Sequence, residues 1–371
     1  MKSFLFLILA ITPILSCHSQ TSEEYFNRAK EKDSLHEYHQ SIRLYDKAIA
    51  MNPKFDLAYL GRGNVKLALQ DYKGAISDYS KALEINPNLD KAYDNRGMAK
   101  SNLKDIKGAM EDYNLGLSIN PMDPYLYLNR GNVKADLNDY DGANADYDAA
   151  MRINPNISKI YLVKGFMKFK QNDYQGALKE YNKSIEINPH DSNAFYERAR
   201  AKKHLQDYAG AIEDYSKAIG INPNMEDAYV HRGELKKIVK DYQGAILDYN
   251  KAIEINPKDT PVYINRGTAK YVLQDYKGSI IDLDKAIEIN PNNAIAYYDR
   301  GLAKAPLGSY QNALADFDKA IGIDSTYPAF YYSRGLVKCL MGQKNGGCND
   351  LNKSLRLGNN EAPDAIKKYC N

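Results

Sequence analysis

The sequence predicts an all-α solenoid of about ten copies of one helical hairpin, followed by a short C-terminal capping helix. One phrase recurs almost unchanged, as DYKGAISDYSKALEINP at 71–87, DYAGAIEDYSKAIGINP at 207–223 and DYQGAILDYNKAIEINP at 241–257. Eight prolines mark a period of 34 residues, without insertion or deletion: Pro53, Pro87, Pro121, Pro155, Pro189, Pro223, Pro257 and Pro291. A fixed period of this kind is typical of a repeat array, which grows by stacking units.

Residues 56–89 illustrate one unit. Apolar side chains at helical spacing predict a first helix over 57–69, with Gly63 in its middle. Asp71 is suited to cap the N-terminus of a second helix, because its carboxylate can accept from the first free backbone N–H groups. Pro87 ends the second helix, since proline disfavours helix in the residue before it. One hairpin cannot bury its apolar faces alone, so neighbouring hairpins are expected to stack.

Two columns of the repeat are basic and a third is acidic, represented in this unit by Arg62, Lys66 and Asp78. In an antiparallel hairpin Arg62 lies nearly opposite Asp78. The basic columns are either a cationic stripe for an acidic ligand or part of an internal ladder of charge pairs. We favour the ladder, because the acids match the arginines almost one for one and a partly buried charge needs a partner.

With its aromatic, Gly, Ala and Pro columns, the unit resembles the tetratricopeptide repeat, and the resemblance covers residues 22–361. It implies a right-handed superhelix whose concave groove, lined mainly by the first helix of each repeat, usually binds a peptide or protein segment. The columns of Arg62 and Lys66 depart from the common form of the repeat, in which apolar or aromatic side chains are more frequent there.

The last repeat keeps the 34-residue register but departs from the repeated sequence. Residues 362–371 are expected to form the capping helix, since terminal repeats need a polar outer face. Pro306 falls late in the first helix of its repeat and is expected to end or kink that helix early.

Four cysteines are present. Antiparallel packing of the last helices would bring Cys348 and Cys370 together, so they are the candidate disulfide, with two buried thiols as the alternative. Cys339 is expected to stay free. The sequence shows neither a CxxC pair nor a histidine cluster, so we expect no metal site.

The N-terminal residues 1–16 predict a secretory signal. Lys2 precedes an apolar run from Phe4 to Leu15, which is too short to span a bilayer. The ending Ile-Leu-Ser-Cys17 resembles the lipobox of bacterial lipoproteins. That resemblance implies cleavage before Cys17, lipidation of its sulfur and amine, and a tether over 17–21.

In that family the residue after the cysteine bears on membrane choice. An Asp there tends to retain a lipoprotein at the inner membrane, and here the residue is His18. The resemblance therefore favours an outer-membrane location, with the periplasmic and surface faces both open. The alternative is an ordinary signal peptide with an incidental cysteine. We favour the lipoprotein, because Cys17 falls where the apolar run ends.

Composition and motifs limit the function. Lys and Arg number 50 against 47 Asp and Glu, which is too balanced to imply nucleic-acid binding by bulk charge. No phosphate-binding loop, GxSxG or HExxH motif occurs, and Asp and Tyr recur at every period as structural positions do. The repeats also fill almost all of the mature chain. We therefore expect neither an enzyme nor a cofactor.

The residues that do not repeat are the candidates for partner binding. On the first helices of three successive repeats, aromatic and basic side chains are expected to face the groove: Phe166, Phe169, Lys170, Tyr196, Arg200, Lys203, His204 and Lys237. Glu197, Asp227 and Glu234 partly offset their charge. An acidic, partly apolar peptide would suit this surface. The alternative is that these are solvated helix faces without a partner.

Together these features predict a lipid-anchored interaction scaffold of the bacterial cell envelope that resembles envelope tetratricopeptide repeat lipoproteins. Its partners would be a protein or peptide segment and, through the lipid, a membrane. A carbohydrate-binding or envelope-assembly lipoprotein is the alternative, because the 31 tyrosines could stack on sugars. A secreted or cytosolic adaptor is the third possibility.

Overall fold

Residues 21–370 of the computed structural model are described, and in them the chain is helical throughout. The predicted signal peptide, Cys17 and residues 17–20 of the predicted tether lie outside the described residues. None of the helices in residues 21–370 is long and apolar enough to cross a membrane. The chain divides into two compact units between Val163 and Lys164, and each unit is described by itself.

The first unit contains four complete antiparallel hairpins and the beginning of a ninth helix. Its helices are α1 (Ser22–Ser34), α2 (Tyr38–Met51), α3 (Asp56–Ala68), α4 (Tyr72–Ile85), α5 (Asp90–Asn102), α6 (Ile106–Ile119), α7 (Pro124–Asp136), α8 (Tyr140–Ile153) and the first residues of α9 (Ser158–Lys170). Each odd-numbered helix packs on the following even-numbered helix.

The second unit takes up α9 at Lys164 and continues with five further hairpins and one last helix. Its remaining helices are α10 (Tyr174–Ile187), α11 (Ser192–His204), α12 (Tyr208–Ile221), α13 (Glu226–Ile238), α14 (Tyr242–Ile255), α15 (Thr260–Val272), α16 (Tyr276–Ile289), α17 (Ala294–Lys304), α18 (Tyr310–Ile323), α19 (Pro328–Leu340), α20 (Lys344–Arg356) and α21 (Ala362–Tyr369).

The turn between the two helices of a repeat closes one helix and opens the next. Gln70 has a φ of 61°, and the next amide, that of Asp71, donates to the carbonyl of Lys66 at 2.9 Å. This is a Schellman-type ending, which satisfies the last carbonyls of α3. The Asp71 carboxylate then accepts from the backbone N–H of Gly74 at 3.0 Å and caps α4, as the sequence predicts. A Cβ on Gly74 would lie 2.1 Å from that carboxylate, so glycine makes room for the cap.

Close packing within most hairpins depends on a small residue of the first helix that faces a large side chain of the second helix. In the second unit the Tyr249 side chain is fully buried and lies against Gly233, where a Cβ would be 2.7 Å from the ring. Such contact leaves no space for a larger residue. The mid-helix glycine therefore makes room for the side chain of the second helix.

Pro306 ends the first helix of the ninth repeat early. Helix α17 ends at Lys304, and residues Ala305–Leu307 form a 3₁₀ helix closed by Gly308, whose φ is 74°. Proline lacks the N–H that would continue the helix. The prediction that Pro306 ends its helix early is confirmed.

A disulfide joins α20 to the end of α21. Cys348 and Cys370 are bonded, with their Cα atoms 5.7 Å apart, and Cys339 carries a free thiol. Ala362 and Ala365 of α21 are buried against the preceding hairpin. The last helix is thus held both covalently and by packing.

We expect reduction of this disulfide to lower the melting temperature of the second unit. The bond closes a loop with a sequence separation of 22, and cross-links of that length contribute about 3 kcal/mol. Thermal unfolding followed by circular dichroism, with and without reductant, measures the effect. The double variant Cys348→Ser/Cys370→Ser is the control and should not respond to reductant. Equal melting temperatures of the oxidised and reduced wild type would contradict the prediction.

Candidate functional site

From the second repeat onward, the repeated charges form ion pairs between the two helices of a hairpin. Arg198 donates from Nε and Nη2 to the two oxygens of Asp214 at 2.8 and 2.6 Å, and Lys202 approaches the same carboxylate at 2.8 Å. Asp214 is fully buried. The same arrangement holds in the first unit, where Arg62 and Lys66 share Asp78 at 2.6 and 2.7 Å. The predicted internal ladder is confirmed, so these cations are already paired.

An aromatic cluster occupies the start of the second unit. His204 stacks on Tyr174 with ring centroids 4.5 Å apart, and Phe169 meets both rings edge-on at 5.1 and 5.3 Å. The Arg200 guanidinium covers the face of Phe169 at 4.7 Å. Phe169 is only 8% exposed and therefore supports Arg200 and His204 instead of presenting a contact surface. Phe166 is 40% exposed, with the Lys170 ammonium 5.2 Å from its ring.

Two of the predicted basic side chains already have acidic partners. Arg200 pairs with Glu197 at 2.8 Å, and Lys203 pairs with Glu234 at 2.9 Å. Burial raises the pKa of Glu197 above its ordinary value. Burial acts the same way on Glu234, but the hydrogen bonds from His231 and Lys203 outweigh it and lower its pKa to about 2. The surface is therefore less cationic than its sequence suggests.

Two cavities open beside these pairs. The smaller, of about 180 Å³, is lined by Arg200, Lys203, His204, Tyr215 and His231. The larger, of about 530 Å³, has a polar part and an apolar wall and is lined by Lys203, Glu234, Lys237, Ile238, Tyr242, Asn265, Thr268, Ala269 and Val272. We call the surface lined by these residues, together with Phe166, Lys170 and Tyr196, the groove face.

Lys237 differs from Lys203, the other lysine that lines the larger cavity. Its ammonium donates to the neutral amide oxygen of Asn265 at 2.9 Å, and no carboxylate among the described residues lies within ion-pair distance. Burial lowers the pKa of Lys237, although Glu234 and Asp299 act in the opposite direction. A half-buried ammonium with one neutral acceptor has donors left for a ligand.

Further along the same face, Asp299 is an ionisable group in a poorly solvated place. Its closest donor is the Thr268 hydroxyl at 3.4 Å. Burial raises the pKa of Asp299 to about 6, and neither Thr268 nor the charge of Lys237 offsets the effect. In the preceding repeat the same column holds Asn265. The repeat therefore accommodates an uncharged amide at this place.

We expect Asp299→Asn to stabilise the protein at neutral pH. Because the folded-state pKa of Asp299 is raised, the cost of ionising this group appears as pH rises from 4 to 6 and is complete above 6. At pH 7 the variant should gain on the order of 1–3 kcal/mol, and near pH 4 almost nothing. Urea unfolding at both pH values measures this. The exposed carboxylate variant Glu288→Gln is the control, and a gain independent of pH would argue against the burial effect.

A third cavity, of about 310 Å³, lies where α17 ends early. It is lined by Tyr271, Leu302, Ala305, Pro306, Tyr310, Phe317, Ser333, Leu336, Val337 and Leu340. The Tyr298 and Ser333 hydroxyls are 3.1 Å apart and bond to each other. No charged side chain of the described residues lines this third cavity, whereas Lys203, Glu234 and Lys237 line the larger cavity.

Sequence-family models identify the repeat. Models described as "Tetratricopeptide repeat" match residues 57–89, 90–122, 128–192, 168–226, 226–259 and 294–327, and one described as "TPR repeat" matches 267–308. Together they cover more than half of the chain. The chain belongs to the tetratricopeptide repeat family.

Solved structures share this fold. A C-terminal part of a tetratricopeptide repeat protein from Cytophaga hutchinsonii is 18% identical, with a TM-score of 0.51 over 64% of this chain and 97% of that one. A repeat protein from Parabacteroides merdae is 22% identical, with a TM-score of 0.48 over 67% and 99%. The fold class predicted from the sequence, an all-α solenoid of such repeats, is confirmed. A search of curated proteins found no match.

Tetratricopeptide repeat proteins are typically non-catalytic interaction scaffolds. Among residues 21–370, no group of three or more His, Cys, Asp or Glu side chains is placed to hold a metal ion. Some ionisable groups of the groove face pair across neighbouring first helices, as Lys203 does with Glu234 and Lys237 with Asn265, whereas Arg200 pairs with Glu197 of its own helix. Such an arrangement is suited to recognition of a polar ligand.

The sequence analysis did not single out several residues of this tetratricopeptide repeat surface. Tyr174 contacts the predicted residue His204, and Asn265, Thr268 and Tyr271 line cavities. Asp299 accepts a hydrogen bond from Thr268. The 34-residue register of the sequence could have identified some of these positions. Asn265 and Asp299 occupy the column of Glu197 and His231 at intervals of 34 residues, and Tyr271 occupies that of Lys203 and Lys237.

Proposed function

We propose that this protein is a lipid-anchored scaffold of the bacterial cell envelope that holds a segment of a partner protein on the groove face of its second unit. The observation that carries the proposal is that repeated and variable residues of each repeat occupy different places. Repeated residues such as Asp214 and Tyr249 are buried in ladders and packing. Residues of the first helices that differ between repeats, such as Lys237 and Asn265, contribute to the lining of the cavities.

The chemistry of the groove face favours a protein segment as ligand. Mixed aromatic, cationic and amide groups offer both apolar contact and hydrogen bonds, as peptide-recognition surfaces do. The tyrosines in the middle of the second helices are fully buried and cannot stack on a sugar, as Tyr181, Tyr215 and Tyr249 illustrate. This supports a protein partner over the carbohydrate alternative. The protein acts by binding, without catalysis or a cofactor.

The anchor rests on the N-terminal sequence. A short apolar run that ends at Cys17 supports lipidation of that cysteine, and several acyl chains on one residue would hold the protein stably at a membrane. His18 after the cysteine supports the outer membrane.

In-cell photo-crosslinking tests partner binding. A photoreactive residue at position 166 is exposed beside Lys170, whereas position 169 is buried under Arg200. We expect protein adducts from position 166 and none from position 247, which is 66% exposed on α14 and lies outside the groove face. Adducts to envelope glycan from position 166, without any protein adduct, would favour the carbohydrate alternative.

Metabolic labelling with a palmitate analogue tests the anchor separately. The wild type should incorporate label and fractionate with the outer membrane, and Cys17→Ser should do neither. Label that persists in Cys17→Ser, or its absence from the wild type, would refute lipidation at this cysteine.

A further inference from the structure

The edge of the groove face becomes apolar in the last four repeats. The column that holds Asn102, Asp136, Lys170 and His204 in earlier repeats continues as Ile238, Val272, Pro306 and Leu340. All four of these later residues are exposed, Leu340 to 59%. We call them the apolar edge. Exposed aliphatic side chains that share one column in successive repeats indicate an interaction surface, because a chance distribution would scatter them.

The apolar edge borders both large cavities. Ile238 and Val272 form a wall of the 530 Å³ cavity, and Pro306 and Leu340 line the 310 Å³ cavity. The two cavities are adjacent along α15, since Thr268 and Val272 line the first and Tyr271 lines the second. An apolar cavity of about 150 Å³ already holds a benzene-sized group. The second cavity therefore has room for one bulky apolar side chain.

The first cavity holds a cation that lacks an anionic partner. The Lys237 ammonium donates one hydrogen bond to the Asn265 amide oxygen at 2.9 Å. The amide nitrogen of Asn265 is then a further donor beside the ammonium. Lys203 at the same cavity is already paired with Glu234 at 2.9 Å. An ammonium and an amide donor side by side suit one carboxylate.

Nearby acids restrict the ligand to a single carboxylate. Glu234 borders the same cavity, and Asp299 lies beyond Thr268 on the next first helix. A second ligand carboxylate close to the first would face these acidic groups without a free cation to offset them. Like charges at such distances disfavour binding.

We propose that the groove face of the second unit recognises a partner segment in which one carboxylate lies next to a bulky apolar side chain. The carboxylate binds Lys237 and Asn265, and the apolar side chain enters the cavity beside Pro306 against the apolar edge. The proposal rests on the proposed function, because it specifies the partner of the same surface. The carboxylate belongs to a side chain or to a chain terminus, which share this chemistry.

Selection from a random nine-residue peptide library with the full chain tests the proposal. Half of the library carries a free C-terminus and half an amidated one, which separates the two sources of carboxylate. We expect enriched peptides to share one carboxylate and a neighbouring Leu, Ile, Met or Phe. Lys237→Met and Leu340→Glu should each bind an enriched peptide roughly tenfold or more weakly, as expected for the loss of a charge-assisted hydrogen bond or of an apolar contact.

Matched variants on the outer face of α14 control for nonspecific effects. Lys251→Met removes an exposed lysine that pairs with Glu254, and Leu247→Glu places a charge at an exposed leucine. Both should bind the enriched peptide as the wild type does. Circular dichroism should show equal helix content in all four variants.

The outcomes separate this inference from the proposed function. Enriched peptides without a carboxylate preference, or with undiminished affinity for Lys237→Met, would overturn the inference and leave a peptide-binding scaffold. A dimer of the chain that Leu340→Glu dissociates would assign the apolar edge to a second copy and overturn it as well. If no peptide is enriched from the library, the proposed function fails together with the inference.

Discussion

Asp214→Asn is expected to lower the free energy of unfolding by on the order of 3 kcal/mol, the largest effect of any single charge change considered for this protein. Asp214 is fully buried and receives two hydrogen bonds from Arg198 and an ion pair from Lys202. Neutralising it leaves two partly buried cations without their counter-charge, and breaking such a pair typically costs 3–5 kcal/mol. We expect the lower end of this range, because Arg198 and Lys202 both keep some contact with water.

The neighbouring acid provides the control. Glu213 is exposed on the outer face of the same helix and pairs with Lys217 at 2.7 Å. Exposed ion pairs contribute little, so Glu213→Gln should leave stability unchanged. Chemical denaturation of both variants at pH 7 measures the difference. If Asp214→Asn unfolds at the wild-type denaturant concentration, the ladder has no structural role.

Tyr249→Ala is expected to cost 3–5 kcal/mol, the usual range for removing a buried aromatic ring. The ring is fully buried within a core cluster of the second unit and fills the space that Gly233 leaves open. Because Gly233 has no side chain, it cannot fill the cavity that removal of the ring would leave. Chemical denaturation measures the loss, and a cost below 1 kcal/mol would mean that the repeat collapses into the space.

Removing only the hydroxyl separates packing from hydrogen bonding. The Tyr249 hydroxyl is buried without a hydrogen-bond partner among the described residues, so Tyr249→Phe should be neutral or slightly stabilising. In the first unit the Tyr79 hydroxyl donates to Asn64 at 2.9 Å. Tyr79→Phe should therefore cost about 1 kcal/mol. Equal effects of the two substitutions would contradict this assignment.

Much of the repeat was predictable because its causes are local. Asp71 caps α4 through an amide three residues away, and Pro306 ends α17 by the absence of its own N–H. Arg62 and Asp78 meet because they belong to one short antiparallel hairpin. The strict 34-residue period then repeats each local solution. Interactions of this kind depend on a few neighbouring residues, which the sequence contains directly.

The candidate site was less predictable because its contacts join different repeats. Lys203 was expected as an available cation, but it pairs with Glu234, 31 residues away on the next first helix. Phe169 was expected as a groove contact, but Arg200 and His204 of the following repeat cover it. Periodicity assigns each side chain to a face. The distance and angle between stacked first helices decide which side chains reach each other.

By itself the sequence determined the helical hairpin, its caps, its charge ladder and the number of repeats, since these follow from short-range chemistry at a fixed period. Only the tertiary structure decided that Lys237 meets a neutral amide, that Asp299 is partly buried and that a cavity lies beside the early end of α17. These features depend on how successive hairpins pack. Packing sets the burial and the partner of every charge on the groove face, and with them the ligand that the surface can hold.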